Sequence, residues 1–120
     1  KNQMKWTANE IKRRQYDDYE ITCDSAEPKS INDYRDSGLP ARGAIKGPGS
    51  IEYSMKWLQR RKLVFDPKRT PNACKEFKKY EYERDKDGNI CSGYPDKDNH
   101  LIDSVRYGSE SLWRRRGYSA

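Results

Sequence analysis

Three side chains of the sequence have the chemistry needed to bind divalent metal ions. Asp24 closes the stretch YEITCD at residues 19–24, while His100 and Asp103 stand three positions apart in PDKDNHLIDSVRY at residues 95–107. Mg²⁺ and Mn²⁺ prefer carboxylate and water ligands, and two such ions about 3.5–4 Å apart stabilise the attacking and leaving oxygens of a phosphodiester. If the fold brings the three side chains together, they form a catalytic centre for phosphodiester hydrolysis, with Asp24 and Asp103 as the metal ligands.

Each of these residues also has a simpler structural explanation. An Asp that follows a strand often turns the chain, and an Asp near a helix N-terminus is favoured by the helix dipole. His100 can equally be a surface residue in a first helical turn, because the pattern H-x-x-D is unspecific. The metal hypothesis therefore depends on Asp24 lying beside the start of the last helix.

The charge of the chain favours a polyanionic partner. Twenty-five Lys and Arg against 19 Asp and Glu give a net charge of +6, and a basic surface strengthens and accelerates association with nucleic acid. Lys29 and Lys46 lie next to Pro or Gly and are candidate phosphate contacts, although either could be a solvated loop lysine. A basic protein around an acidic metal cluster is typical of a nuclease.

The elements in the first half of the chain must present Asp24. Residues 19–24 alternate and contain β-branched side chains, which predicts a strand that ends at Asp24. Ser30 is a candidate cap for a short helix that stops at Gly38, and the glycine-rich loop that follows contains a predicted short strand at residues 44–46. Upstream, Thr7 and Glu10 have the spacing of a capping box, which predicts that a helix begins at Thr7.

The second half of the chain must present His100 and Asp103. We predict a helix capped by Ser50, with Ile51, Met55 and Leu58 in one apolar stripe, and then a buried strand at residues 62–66. A third helix is predicted to begin at Thr70 and Pro71, and a hairpin over residues 80–94 to turn at Asp87–Gly88. The last helix is predicted to be capped by Asn99 and to run from His100 to about residue 115. Strands that alternate with helices predict an α/β fold with a parallel strand pair and flanking helices.

Length and composition predict one soluble domain over residues 1–120. Only 32% of the residues are hydrophobic and 37% are charged, so the core must be thin. The longest apolar runs are far too short for a membrane span. Three widely spaced cysteines suit neither a disulfide framework nor a zinc site, which favours reduced thiols in a cytoplasmic compartment.

Four segments together resemble the C-terminal nuclease domain of phage terminase large subunits. They are CDSAEPKSI at 23–31, AIKGPGSIEYSMKWL at 44–58, FDPKRTPNACKEFKKYEYERDKDGN at 65–89 and YPDKDNHLIDSVRYG at 94–108. The specific signal is the combination of D-S-A-E-P-K-S, K-G-x-G-S and N-H-x-I-D-x-x-R-Y in this order. The resemblance implies a partial RNase H-like fold and an Mg²⁺- or Mn²⁺-dependent endonuclease that cuts concatemeric double-stranded DNA during genome packaging.

The resemblance also implies roles for individual residues. Asp24 matches the second acidic residue of the family's two-metal centre, Asp103 matches the third, and His100 is the associated histidine; Lys46 falls in the K-G-x-G-S loop. The implied partners are the terminase motor domain and other packaging proteins, in the cytoplasm of a bacterial host that carries the phage or prophage.

One departure from the family pattern gives alternative expectations. The family's first acidic residue should precede the helix at residues 7–16, where this sequence has only KNQMKW. The chain is therefore expected to be a fragment or a truncated prophage remnant with a weakened metal site. A catalytically inactive basic DNA-binding or interaction module is the alternative function, and a small structural protein that binds no DNA is a third. An exposed sheet edge would favour homo-oligomers or strand exchange.

Overall fold

The computed structural model describes residues 2–80, 86–87, 94 and 99–114, and the chain divides into two compact units, Lys1–Lys46 and Gly47–Ala120. The first unit contains α1 (Asn2–Arg13), β1 (Ile21–Cys23), α2 (Pro28–Asp36) and β2 (Ala41–Gly43). The second unit contains α3 (Ser50–Gln59), α4 (Pro71–Lys79), α5 (His100–Gly108) and α6 (Glu110–Arg114). The predicted α/β class with a parallel strand pair is confirmed.

The parallel pair joins β1 to β2 across the crossover helix α2. Ile21 pairs with Ala41 and Cys23 pairs with Gly43, so the second strand lies three residues earlier than the predicted 44–46. Packing explains the difference, because a Cβ atom on Gly43 would lie 2.9 Å from the Cβ atom of Ser25. Only glycine allows the strand to approach this closely.

The predicted capping box at Thr7 and Glu10 is wrong. α1 begins at Asn2 and continues through Thr7, whose hydroxyl donates to the Gln3 carbonyl at 2.9 Å. The Glu10 carboxylate instead accepts from the guanidinium groups of Arg13 and Arg14. Ion pairs at spacings of three and four stabilise a helix interior, so the same residues that suggested a helix start support its middle.

Two of the four other predicted helix starts differ in their caps, whereas α4 begins at Pro71 after Thr70, as predicted. α2 begins at Pro28, two residues before Ser30. Ser50 is the first residue of α3, and the cap position is held by Gly49 with a φ of 76°. Asn99 does occupy the cap position of α5, but its side chain makes no capping hydrogen bond.

The second unit packs α3 against α5 and α6. Its core consists of Met55, Leu58, Ile102 and Trp113, while Ile51 of the predicted apolar stripe is 52% exposed. The Trp113 indole Nε1 donates to the Arg106 carbonyl at 3.0 Å, which ties α6 to α5. The predicted single last helix is therefore two helices, which meet at Ser109.

The predicted buried strand at residues 62–66 is wrong. This segment is irregular, with Val64 85% exposed and Leu63 39% exposed. Only Phe65 finds an aromatic neighbour, since its ring centroid lies 5.0 Å from that of Phe77. A short apolar run without a ladder partner has no backbone reason to become a strand.

Two further predictions concern the rest of the chain. The predicted hairpin over residues 80–94 lies outside the described residues, apart from its ends and a turn at residues 86–87. In the part of the chain that is described, no helix has the length and apolar character needed to cross a membrane.

Candidate metal and phosphate site

Asp24 lies directly after β1, as predicted, and its carboxylate is held by two contacts. Its Oδ1 accepts from the backbone N–H of Ala26 at 3.0 Å and lies 3.2 Å from the Lys46 Nζ. The side chains of Asp24 and Lys46 are 57% and 49% exposed. The strand end therefore presents an oriented carboxylate to solvent.

The same contacts keep this carboxylate ionised. The hydrogen bond from the Ala26 N–H, and then the Lys46 ammonium, hold the pKa of Asp24 below its ordinary value. Both contacts fall on Oδ1, and the carboxylate makes no other hydrogen bond or ion pair with a described residue. The other carboxylate oxygen, Oδ2, can therefore act as a ligand of a cation.

The two predicted phosphate contacts have different surroundings. Lys29 is exposed in the first turn of α2. Lys46 is half-exposed and pairs with Asp24. The Asp24 carboxylate therefore offsets part of the charge that Lys46 would offer to a phosphate.

In the second unit, α5 carries both His100 and Asp103 in its first turn. His100 is exposed, and Asp103 is half-buried with its Oδ1 2.9 Å from the Arg106 guanidinium. Arg106 is 5% exposed and also donates to the Ser54 hydroxyl of α3 at 3.0 Å. This pair fixes the orientation of Asp103, and as in Asp24 the contacts use only Oδ1.

Glu76 is a residue of the site region that sequence reasoning missed. Its Oε1 accepts from the backbone N–H groups of Leu101 at 2.7 Å and Ile102 at 2.9 Å. A carboxylate from α4 thus caps the helix that carries His100 and Asp103. The sequence holds one faint sign of this arrangement, because Ile102 occupies the position where a local capping box would have Glu or Gln.

A groove of ≈ 450 Å³ in the first unit lies beside the strand end. It is lined by α1, β1 and α2, and Asp24 and Cys23 are among its lining residues. Burial raises the pKa of the Cys23 thiol. Cys23 and Cys74 are free thiols, while Cys91 lies outside the described residues.

The donor chemistry fits a hard divalent cation. Each of the two aspartates keeps one carboxylate oxygen outside its contacts with described residues, and oxygen is the ligand atom that Mg²⁺ and Mn²⁺ prefer. Within the described part of either unit, no group of three or more His, Cys, Asp and Glu side chains is placed to hold a metal ion. Asp24 belongs to the first unit and Asp103 to the second, so their convergence stays a prediction.

Comparison with known proteins gives a consistent set of similarities. Residues 3–110 match the family model described as the terminase RNase H-like domain. The chain is 39% identical over 119 residues to the terminase large subunit of Bacillus phage SPP1, and 36% identical over 88 residues to the PBSX phage terminase large subunit of Bacillus subtilis strain 168. These alignments cover 97% and 72% of this chain, and 28% and 20% of the relatives.

A solved structure is similar over most of the chain. It is the crystal structure of the large terminase nuclease domain from bacteriophage SPP1 with bound Mn, which superposes with a TM-score of 0.82 at 40% identity. The match covers 90% of this chain and 63% of the SPP1 domain. At this identity the similarity extends to sequence as well as to fold.

Proposed function

The chain belongs to the terminase RNase H-like domain family, and from this premise we propose that it is part of a metal-dependent endonuclease that cuts double-stranded DNA during phage genome packaging. The observation that carries the proposal is the pair of oriented carboxylates, Asp24 after β1 and Asp103 in α5, in a chain 40% identical to a nuclease domain solved with Mn. Positive net charge supports DNA as the substrate.

Asp24 and Asp103 are the residues that would hold Mg²⁺ or Mn²⁺. Both carboxylates have an oxygen outside their contacts with described residues, and Arg106 and the Ala26 N–H keep the two groups oriented. A bound divalent ion would supply charge stabilisation at the phosphodiester oxygens and would lower the pKa of an attacking water.

The basic and proton-carrying side chains have separate roles. Lys46 pairs with Asp24, and a metal ion held by this carboxylate would leave more of the ammonium charge for a DNA phosphate. Lys29, exposed in the first turn of α2, provides a second phosphate contact. His100, exposed at the start of α5, can carry a proton to or from the reacting oxygens.

The partners follow from family membership. We propose that the domain acts with a terminase motor domain and other packaging proteins, in the cytoplasm of a bacterial host. Among the described residues the sheet has two strands, and an edge without a partner strand would be a template for pairing with a second copy. Sedimentation of the 120-residue chain tests this, and a clean monomer at high concentration would contradict it.

Plasmid cleavage with Mn²⁺ or Mg²⁺ tests the central activity. Asp24→Asn and Asp103→Asn each should lower the cleavage rate by about a hundredfold or more, since each removes a metal-ligand charge. Asn is preferred to Ala at position 103 because Ala would remove the oxygen that accepts two of the hydrogen bonds donated by the buried Arg106 guanidinium. Asp36→Asn, an exposed change in α2, is the matched control and should cut like the unmodified chain.

Two results would decide against the proposal. Equal cleavage by the Asp103→Asn and Asp36→Asn variants would show that the reaction does not use this centre. Salt-sensitive DNA binding without any Asp103-dependent cleavage would instead support the inactive DNA-binding module.

A further inference from the structure

We propose that residues 60–79 form a second DNA-contacting surface, which binds the phosphate backbone of duplex DNA independently of the carboxylate centre. The inference rests on the proposed function only in taking duplex DNA as the ligand. This segment holds eight Lys and Arg and two Asp and Glu, so its net charge of +6 equals that of the whole 120-residue chain. The remaining residues carry equal numbers of basic and acidic side chains, so the excess of positive charge comes from this one segment.

The basic side chains of the segment are all exposed. They are Arg60, Arg61, Lys62, Lys68, Arg69, Lys75, Lys78 and Lys79. The two acidic residues have structural tasks: Glu76 caps α5, and the Asp66 Oδ1 accepts from the backbone N–H of Lys68 at 3.0 Å. The charge of the segment therefore faces solvent, where an extended polyanion can reach it.

Local contacts hold the segment in a defined shape. The Asp66 carbonyl accepts from the Thr70 N–H at 2.8 Å, which closes a turn immediately before α4. The Phe65 and Phe77 rings, with centroids 5.0 Å apart, join this turn to α4. A surface that is already ordered loses less conformational entropy on binding than a flexible tail.

Helix dipoles explain only part of this charge pattern. Arg60 lies at the C-terminus of α3, and Lys78 and Lys79 lie in the last turn of α4, where cations are favoured. Lys68 and Arg69 instead precede the N-terminus of α4, where the dipole disfavours a cation, and Arg69 has only a long, exposed ion pair with Asp66 at 3.8 Å to offset this. A DNA phosphate bound at this position would place a negative charge near the N-terminus of α4, where the helix dipole favours it.

The arrangement matches phosphates better than base edges. Exposed Lys side chains provide single positive charges, and exposed Arg side chains can donate two parallel hydrogen bonds to one phosphate. Such contacts position a duplex without reading its sequence. We therefore expect this surface to bind duplex DNA of any sequence, with a strong dependence on salt.

The salt dependence of DNA binding tests the inference. The full chain, a Lys62→Gln/Lys68→Gln variant and a matched Lys5→Gln/Lys12→Gln variant are compared by fluorescence anisotropy with a short labelled duplex. All four lysines are exposed. EDTA is present throughout, so that no metal-dependent step contributes to the signal.

The first variant should lose affinity, and the slope of log K against log salt should fall in magnitude by about 1.8, because each phosphate contact contributes about 0.9. The control variant should keep the slope of the unmodified chain. Both variants should keep the urea midpoint of the unmodified chain, because the substituted side chains are exposed. Loss of both affinity and slope in the first variant alone supports the surface.

Three outcomes would overturn the inference. Equal losses in the two variants would show that net charge rather than this surface controls binding, and unchanged binding in both would show that the segment does not contact DNA. In a parallel titration with labelled poly-glutamate, a loss of binding by the first variant alone, with its duplex binding intact, would assign the surface to an acidic protein segment. A failure of Asp103-dependent cleavage would not affect any of these results, so the proposed function and this surface are tested separately.

Discussion

Glu76 offers a specific test of how α5 is held in place. Glu76→Ala removes a carboxylate that accepts from the Leu101 and Ile102 N–H groups at 2.7 and 2.9 Å. Loss of a helix cap costs about 0.5–2 kcal/mol, and loss of a negative charge at a helix N-terminus adds about 0.3–1 kcal/mol. We expect a total destabilisation of about 2 kcal/mol.

Two measurements check this value. In urea denaturation the midpoint should fall by about 1 M, given a slope between about 1 and 3 kcal/mol/M for a chain of this size. Hydrogen exchange at the Leu101 and Ile102 amides should accelerate by up to about 30-fold, which is the equilibrium factor for 2 kcal/mol. Glu76→Gln keeps an acceptor oxygen without the charge, so it should recover about half of the loss.

Glu52→Ala provides the matched control, because Glu52 is exposed on α3 and pairs only with Lys56 among the described residues. Because Glu52 lies in the first turn of α3, its loss should cost the helix-dipole contribution of about 0.3–1 kcal/mol but no capping hydrogen bonds. Equal midpoints for the Glu76→Ala and Glu52→Ala variants would refute the capping role. If the cap positions Asp103, cleavage by Glu76→Ala should also fall and be partly restored in Glu76→Gln.

Three other changes have defined outcomes. Lys46→Met removes the ammonium 3.2 Å from Asp24, so the pKa of Asp24 should rise towards its ordinary value and Mn²⁺ affinity at pH 7, measured by calorimetry, should increase by up to about fivefold. Two arginines lower the pKa of Glu10 to about 2, so an NMR titration should show its carboxyl protonating near that pH, and the helix stability it contributes should be lost only as the pH falls from about 4.5 towards 2. Arg106→Met leaves the half-buried Asp103 carboxylate without its partner and should lower the urea stability by about 3 kcal/mol.

Each of these predictions can fail in a recognisable way. Unchanged Mn²⁺ affinity in Lys46→Met would show that the ion pair does not compete with the metal. A Glu10 midpoint near 4.5 would show that the two arginines do not stabilise its charge. A loss below about 0.5 kcal/mol in Arg106→Met would show that Asp103 needs no buried partner.

Local patterns in the sequence predicted the elements that carry the candidate residues. Alternation and β-branching placed Asp24 at the end of a strand, and the turn-forming residues before His100 placed it at the start of a helix; both positions are confirmed. These features depend on residues that lie only a few positions apart in the sequence. Short-range rules describe such features well.

The errors have a shared cause in long-range contacts. A strand was predicted at residues 62–66 because the run is apolar, but only a ladder partner could have made it a strand. The cap of α5 comes from Glu76, 25 positions before Leu101, and no local pattern can reveal such a partner. Arg106 is similar, because the guanidinium is buried between Asp103, three positions away, and Ser54, which lies 52 positions away and cannot be identified from a local pattern.

Titration with Mn²⁺ followed by NMR most directly tests whether Asp24 and Asp103 form one metal centre. Paramagnetic broadening should affect the amide of Ala26, which donates to Asp24, and the amide of Asp103 at the same Mn²⁺ concentrations. Either Asp24→Asn or Asp103→Asn should abolish the broadening at both amides. Broadening at one amide alone, or at two amides that titrate independently, would contradict a shared site.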